Sequence, residues 1–167
     1  MPVATVTAER ANLGDNGSTG GLTMRMGLWV VATLMSGWAQ AQMTPVGQWR
    51  SIDDATGEAK AEIHIVEQAG VLSARVVRSL RDKPNARKNC DDCVDDRKGQ
   101  PIIGMEILRG VRREGNENLW AGGGKILDPE NGKEYTVRLV PLEDGKRLQV
   151  RGYIGPFYRT QIWQRMP

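Results

Sequence analysis

Two cysteines, Cys90 and Cys93, stand two residues apart in KNCDDCVDDRKG, Lys88 to Gly99. A Cys-x-x-Cys pair supports three chemistries. Opening a helix in a βαβ unit, it is a redox dithiol whose thiolate the helix N-terminus stabilises. With two further ligands it is a zinc site. In an oxidising compartment it closes into a disulfide.

The surrounding residues weigh these readings. The chain has one histidine, His64, and no third cysteine, so a four-ligand zinc site is short of donors. Asp91, Asp92, Asp95 and Asp96 could give oxygens to a loose calcium or transition-metal site. Aspartates in a polar loop are ordinarily solvated, here balanced by Lys88, Arg97 and Lys98. No metal and no other cofactor is therefore expected. The pair lies between strands, away from any helix start, which disfavours redox catalysis. The expectation is a Cys90–Cys93 disulfide that fixes a turn inside the long Leu80–Gln100 connection. Connections of that length tend to be functional or mobile.

Other catalytic residue types do not assemble in the sequence. There is no nucleophile elbow, no Ser/His/Asp arrangement and no metal-ligand spacing. Asp53-Asp54 and Asp95-Asp96 are adjacent carboxylates. Neighbours on a strand face opposite ways, and all four read as turn residues. Catalysis would require two carboxylates converging in a pocket with raised pKa values. A non-enzymatic protein is expected.

The compartment is read from the N-terminal region. Met24 to Gln42, MRMGLWVVATLMSGWAQAQ, has a basic start at Arg25, an apolar stretch from Gly27 to Trp38 and a small-x-small site at Ala39-Gln40-Ala41. That is the pattern of a cleaved secretory signal peptide. The apolar stretch is short of the roughly 20 residues of a membrane span. No cysteine follows the small residues, so a lipoprotein is not indicated. Residues 1–23 are polar and without hydrophobic periodicity, which points to translation from Met24 or Met26 rather than Met1. The expected organisation is a non-native or disordered leader over 1–23, a signal peptide over 24–41, and one domain over 42–167. The expected location is the periplasm or the medium. An exported chain with two cysteines favours the disulfide further.

The net charge of +3 is unchanged without residues 1–41, which hold two basic and two acidic residues. Both signs are interspersed, which argues against a nucleic-acid footprint. No later segment could span a membrane.

The elements that position these residues are strands. KAEIHIV, Lys60 to Val66, puts Ala61, Ile63 and Ile65 on one face. VLSARVV puts Leu72, Ala74 and Val76 together, KEYTVRLV puts Tyr135, Val137 and Leu139 together, and RLQVRGYI aligns Leu148, Val150 and Ile154. Period two with β-branched residues marks strands. VGQWRSI, PIIGMEILRG, LWAGGGKIL and RTQIWQR add four more, the third read as continuous across its glycines. DPENG, PLEDG and GPFY are turns. About eight short strands and no amphipathic helix predict an all-β, antiparallel barrel or sandwich, and a barrel removes exposed edges. Gly122-Gly123-Gly124 and Gly152 suit strand bends.

Two resemblances follow from these residues. Gly47-Gln48-Trp49 resembles the first-strand Gly-x-Trp of lipocalins. There the Trp closes one barrel end, and a basic residue near the chain end packs over it; Arg159 and Arg165 are the candidates here. The blocks GQWRSIDDATGEAKAEIHI, CDDC, GMEILRGV, LWAGGGKILDPENGKEYTVRL and RLQVRGYIGPFYRTQIWQR resemble, in order and spacing, the secreted bacterial family called domain of unknown function 2147. That resemblance implies an exported, lipocalin-like small β-barrel and carries over no catalytic residues.

An eight-stranded barrel has room for packed side chains or for one small ligand. An apolar interior suits a lipid, fatty acid or other hydrophobic metabolite. The expected ligand contacts are Trp49, Ile63, Tyr135, Val137 and Trp163, residues a filled core would equally use. The alternative is an envelope interaction or structural protein with a filled barrel that works through its loops. Trp120, Phe157 and Tyr158, near strand ends, are read as packing residues rather than an aromatic rim.

Overall fold

The computed structural model describes residues 43–81 and 87–167. The expected leader and signal peptide lie outside the described residues. Among the described residues nine strands form: β1 Gly47–Ile52, β2 Ala59–Gln68, β3 Val71–Ser79, β4 Glu106–Arg113, β5 Trp120–Gly122, β6 Lys125–Asp128, β7 Lys133–Leu142, β8 Arg147–Ile154 and β9 Phe157–Arg165. All pairings are antiparallel, and apart from β5 and β6, which do not pair with each other, consecutive strands lie side by side. β9 returns to β1, so the sheet closes into a barrel. β5 and β6 both pair with β4 and with β7, so together they make one stave, and the barrel has eight.

The break between β5 and β6 has a steric origin. LWAGGGKIL was expected as one strand. Gly123 sits at φ +75, and a Cβ on Gly124 would stand 2.1 Å from Val111 Cγ2. The glycines let the stave kink against β4, where any side chain would collide. A second boundary also differs. The strand expected from Pro101 begins only at Glu106. Ile102 to Met105 forms a turn, closed by the Met105 N–H donating to the Ile102 carbonyl at 3.1 Å. Gly104, at φ +87, supplies the left-handed residue that turn needs. At the other extreme β9 starts earlier than expected, at Phe157, because only Gly155-Pro156 is spent on the hairpin.

The alternating faces predicted from sequence point inward as expected on β2, β3 and β7. Ile63, Ile65, Leu72, Ala74, Val76, Val137 and Leu139 are all buried. On β8 the inward row is Leu148, Val150 and Gly152, while Ile154 runs past the wall and is exposed. A bulge at Glu62/Ile63 shifts the register of β2. It puts Glu62 as well as Ile63 out of solvent and breaks the strict alternation.

The two ends of the barrel differ. One carries the β2–β3 and β7–β8 turns, and the other carries the 53–58, 80–105, 129–132 and 155–156 connections. Toward the first end the interior is packed solid by Ile65, Leu72, Leu108, Val111, Leu139 and Leu148, none more than 1% exposed.

Candidate functional site

Trp49 plugs the solid end. It is fully buried, and its indole N–H donates to the Pro45 carbonyl at 2.7 Å. The Arg165 guanidinium lies 4.2 Å from the ring centroid. Its Nη1 donates to the Val46 carbonyl at 2.8 Å and its Nη2 to the Thr44 carbonyl at 2.6 Å. Of the two basic candidates, Arg165 is therefore the partner of Trp49. Burial pushes the Arg165 pKa down, though a guanidinium stays charged at any physiological pH. Gly47 makes the stack fit: at φ +130 it has no Cβ, and one added there would lie 2.6 Å from Arg165 Nη1. The Gly of Gly-x-Trp is thus the space the arginine occupies.

The other half of the barrel is hollow. A cavity of about 390 Å3 opens above the packed floor, room for roughly a dozen water-sized groups at ~30 Å3 each. Its walls are mostly apolar: Ile63, Val76, Ile107, Ile126, Val150 and Trp163. Ser51, Tyr135 and Gln161 add polar atoms, and Gly152 opposite Tyr135 leaves the latter's ring room to lie inward. A Cβ on Gly152 would approach Tyr135 Cβ to 3.1 Å. Gly152 thus serves space inside the barrel as well as strand curvature.

Lys60, Arg81, Arg87, Asp128, Glu130 and Arg159 ring the mouth. They are paired across elements. Arg81 bridges Asp53 and Glu130, the latter at 2.6 Å. Lys60 reaches Glu130 at 2.9 Å and Asp128 at 3.9 Å. Arg159 Nε donates to Asp54 Oδ2 at 2.7 Å. The Ala55 and Thr56 backbone N–H groups, at 3.0 and 3.1 Å, hold the Asp53 carboxyl below its usual range, and Arg81 adds to them. The Arg159 hydrogen bond does the same for Asp54. These lowered values are the reverse of what a general acid needs.

The Cys90–Cys93 disulfide is formed and both residues are buried. It closes a turn in the β3–β4 connection, which is pinned at its base by the Asn89–Pro101 bridge and by Cys90 N–H to the Gln100 carbonyl at 3.0 Å. The turn seats on the β6–β7 connection, where Gly132 lets the Asp92 backbone approach; a Cβ there would sit 2.1 Å from the Asp92 carbonyl oxygen. The loop's aspartates are held by arginines. Arg87 takes Asp92, Arg97 takes Asp95, and Arg109 takes Asp96 with two bonds of 2.9 Å. Of the balancing cations expected, Arg97 fills that role; Arg87 and Arg109 stand where Lys88 and Lys98 were expected. Arg97, only 4% exposed, also donates to the Glu106 carbonyl at 3.1 Å and reaches Glu134. Its hydrogen bonds pull the Asp95 pKa down to about 2. Among the described residues no three acidic, cysteine or histidine side chains are placed to hold a metal ion.

Three of the five expected contact residues, Ile63, Tyr135 and Trp163, line the cavity. Trp49 does not, because it plugs the opposite end. Val137, one inward position below Tyr135 on β7, is fully buried in the floor. Gln161 and the rim charges were not anticipated. The inward face of β9 reads Arg159, Gln161, Trp163, Arg165 at period two, the signal that would have found Gln161. Trp120 is buried beneath Arg113, as a packing residue. Phe157 and Tyr158 are instead exposed, at 73% and 63%.

Comparison with known proteins agrees with this geometry. Residues 47–165 match a family described as an uncharacterised protein conserved in bacteria, DUF2147. A solved structure, protein HP1028 from the human pathogen Helicobacter pylori, described as belonging to the lipocalin family, is similar in fold. The TM-score is 0.61 at 17% identity, over 73% of this chain and 82% of that one. No curated protein matches the chain. Among the described residues no helix is long and apolar enough to cross a membrane.

Proposed function

Starting from the premise that this chain belongs to the DUF2147 family and folds as a lipocalin-like barrel, we propose that it is an exported carrier or sensor of a small hydrophobic molecule in the periplasm. The observation that carries this reading is the half-filled interior. A barrel whose only task was stability would gain by packing its whole length, since unfilled apolar volume forfeits contacts and costs stability. This one stops packing at Val137 and leaves about 390 Å3 walled mainly by apolar side chains. Pockets of this size and lining suit small apolar ligands. The reading is of a binding protein rather than an enzyme: Asp53 and Asp54 are each tied to an arginine.

Native mass spectrometry of the Gln42–Pro167 protein, purified from a periplasmic extract without detergent, tests the proposal. The expected result is a mass lower by the two hydrogens of one disulfide, with a discrete apolar adduct. A bare mass that takes up no lipid or other apolar compound would sink the carrier reading. It would favour the second reading, a loop-borne interaction protein, for which exposed Val94, Ile103, Phe157 and Tyr158 around the mouth are the supporting observation.

A further inference from the structure

The cavity is not uniformly apolar, and the polar group inside it has a fixed sense. Trp163 and Gln161 both line it. The Trp163 indole N–H lies 3.1 Å from Gln161 Oε1. An indole nitrogen can only donate, so the atom facing it must be the amide oxygen, and the amide nitrogen must point elsewhere. Gln161 is therefore held with its amide oxygen on Trp163 and its two N–H donors turned away from it. Among the described residues no acceptor takes those donors.

The other polar groups of the cavity offer less. Ser51 spends its hydroxyl proton on the Ala61 carbonyl at 3.3 Å and has only lone pairs left. Lys60, Arg81 and Arg159 at the mouth are bound to carboxylates, and Arg87 is bound to Asp92. Tyr135 accepts from the Asn131 amide at 3.3 Å and keeps a rotatable hydroxyl proton, as does Ser79 on the same wall. Gln161 is the donor whose direction the fold itself sets.

We infer that the ligand is an apolar molecule bearing a neutral carbonyl-type acceptor, a ketone, ester or amide, which Gln161 binds through its amide N–H groups. This deepens the carrier reading and rests on it. A charged head would find the rim cations already paired, whereas a carbonyl matches the one oriented donor. A ligand without an acceptor would leave the amide donors desolvated and unsatisfied, which discriminates against it.

The test uses two matched probes, butyrophenone and butylbenzene, which differ in a carbonyl where the other has a methylene. Their binding to the mature protein is measured by isothermal titration calorimetry. Wild type is expected to prefer butyrophenone by about tenfold, the scale of one net hydrogen bond. Gln161→Leu should abolish that preference while still binding butylbenzene. Gln161→Glu, which keeps an acceptor for Trp163 but presents no donor, should abolish it too and covers the case in which the leucine variant does not fold. Tyr135→Phe should keep it. Equal binding of both probes by wild type, or a preference that survives in both Gln161 variants or vanishes with Tyr135→Phe, would overturn the inference and leave the carrier reading standing. No binding of either probe by wild type would remove both.

Discussion

The Arg165 guanidinium lies over Trp49, 4.2 Å from the ring centroid, joining the last strand of the barrel to the first. The stack combines a desolvated cation–π contact with guanidinium bonds to the Val46 and Thr44 carbonyls. Such a contact contributes about 2 kcal/mol, and the carbonyl bonds add to it. Arg165→Ala is expected to lower unfolding free energy by about 3 kcal/mol in urea denaturation. Arg165→Lys should recover less than half, because an ammonium has neither the planar face nor the fork. A lysine variant as stable as wild type would show that charge alone matters here.

Gly152 controls the volume of the cavity. Its missing Cβ would crowd the Tyr135 Cβ at 3.1 Å. Gly152→Val should drive Tyr135 aside or occupy the cavity itself. Butylbenzene affinity should fall by about tenfold or more, with the far-ultraviolet circular dichroism of the barrel unchanged. Unaltered affinity would place the ligand somewhere other than this cavity.

The β2–β3 hairpin turns on Ala69 and Gly70, both left-handed, at φ 52 and 74. This is the backbone of a two-residue turn that favours Asn-Gly. An alanine held there costs about 1 kcal/mol, which asparagine largely avoids. Ala69→Asn should therefore raise stability by about 1 kcal/mol, read as a higher urea midpoint at constant slope.

Acid sensitivity follows from the arginine-bound aspartates. Asp53, Asp54 and Asp96 lie below their usual 3.8, and Asp95 is at about 2. A carboxyl with a lowered folded pKa contributes stability that is fully present above the unfolded value and is lost as pH falls through the folded one. Unfolding free energy should thus hold down to about pH 4 and drop between there and about pH 2. Asp95→Asn should make that drop shallower. A steep loss already at pH 5 to 6 would contradict this assignment.

The disulfide closes a very short ring and constrains the unfolded chain little. Replacing Cys90 and Cys93 together by alanine should cost about 2 kcal/mol. Thiol titration of the native, unreduced protein should find no free thiol; two free thiols would contradict the bond.

The barrel was legible because most of its strands alternate. KEYTVRLV declares its inward face residue by residue, VLSARVV does so less strictly, and the Gly-x-Trp signature names the closed end. What alternation does not encode is depth. Tyr135 and Val137 share a face of β7, yet one lines the cavity and the other fills the floor. Nothing in a period of two says where packing stops. Trp49 misleads for the same reason: a large inward aromatic reads as a ligand wall until Arg165 is seen above it. The rim network was hidden because it joins Lys60, Arg81 and Glu130 over sequence separations that no local pattern spans. Gln161, a single polar residue of the last strand, carries no signal by type, though its position between Arg159 and Trp163 at period two marks it as inward.

The union of β1 and β9 has a directional consequence. Their ladder consists of Trp49 with Arg165 and Arg50 with Gln164, both beside the plugged end. Toward the mouth the two strands are joined by the Arg159–Asp54 side-chain bridge instead. Every other stave is stitched more fully to a neighbour. The wall therefore behaves as a zip fastened at its lower end. Hydrogen exchange along the β1-facing side of β9 should be fastest near the hollow half, where backbone groups lack a ladder partner. The seam beside the hollow half is thus the stretch of wall with the fewest backbone bonds to break.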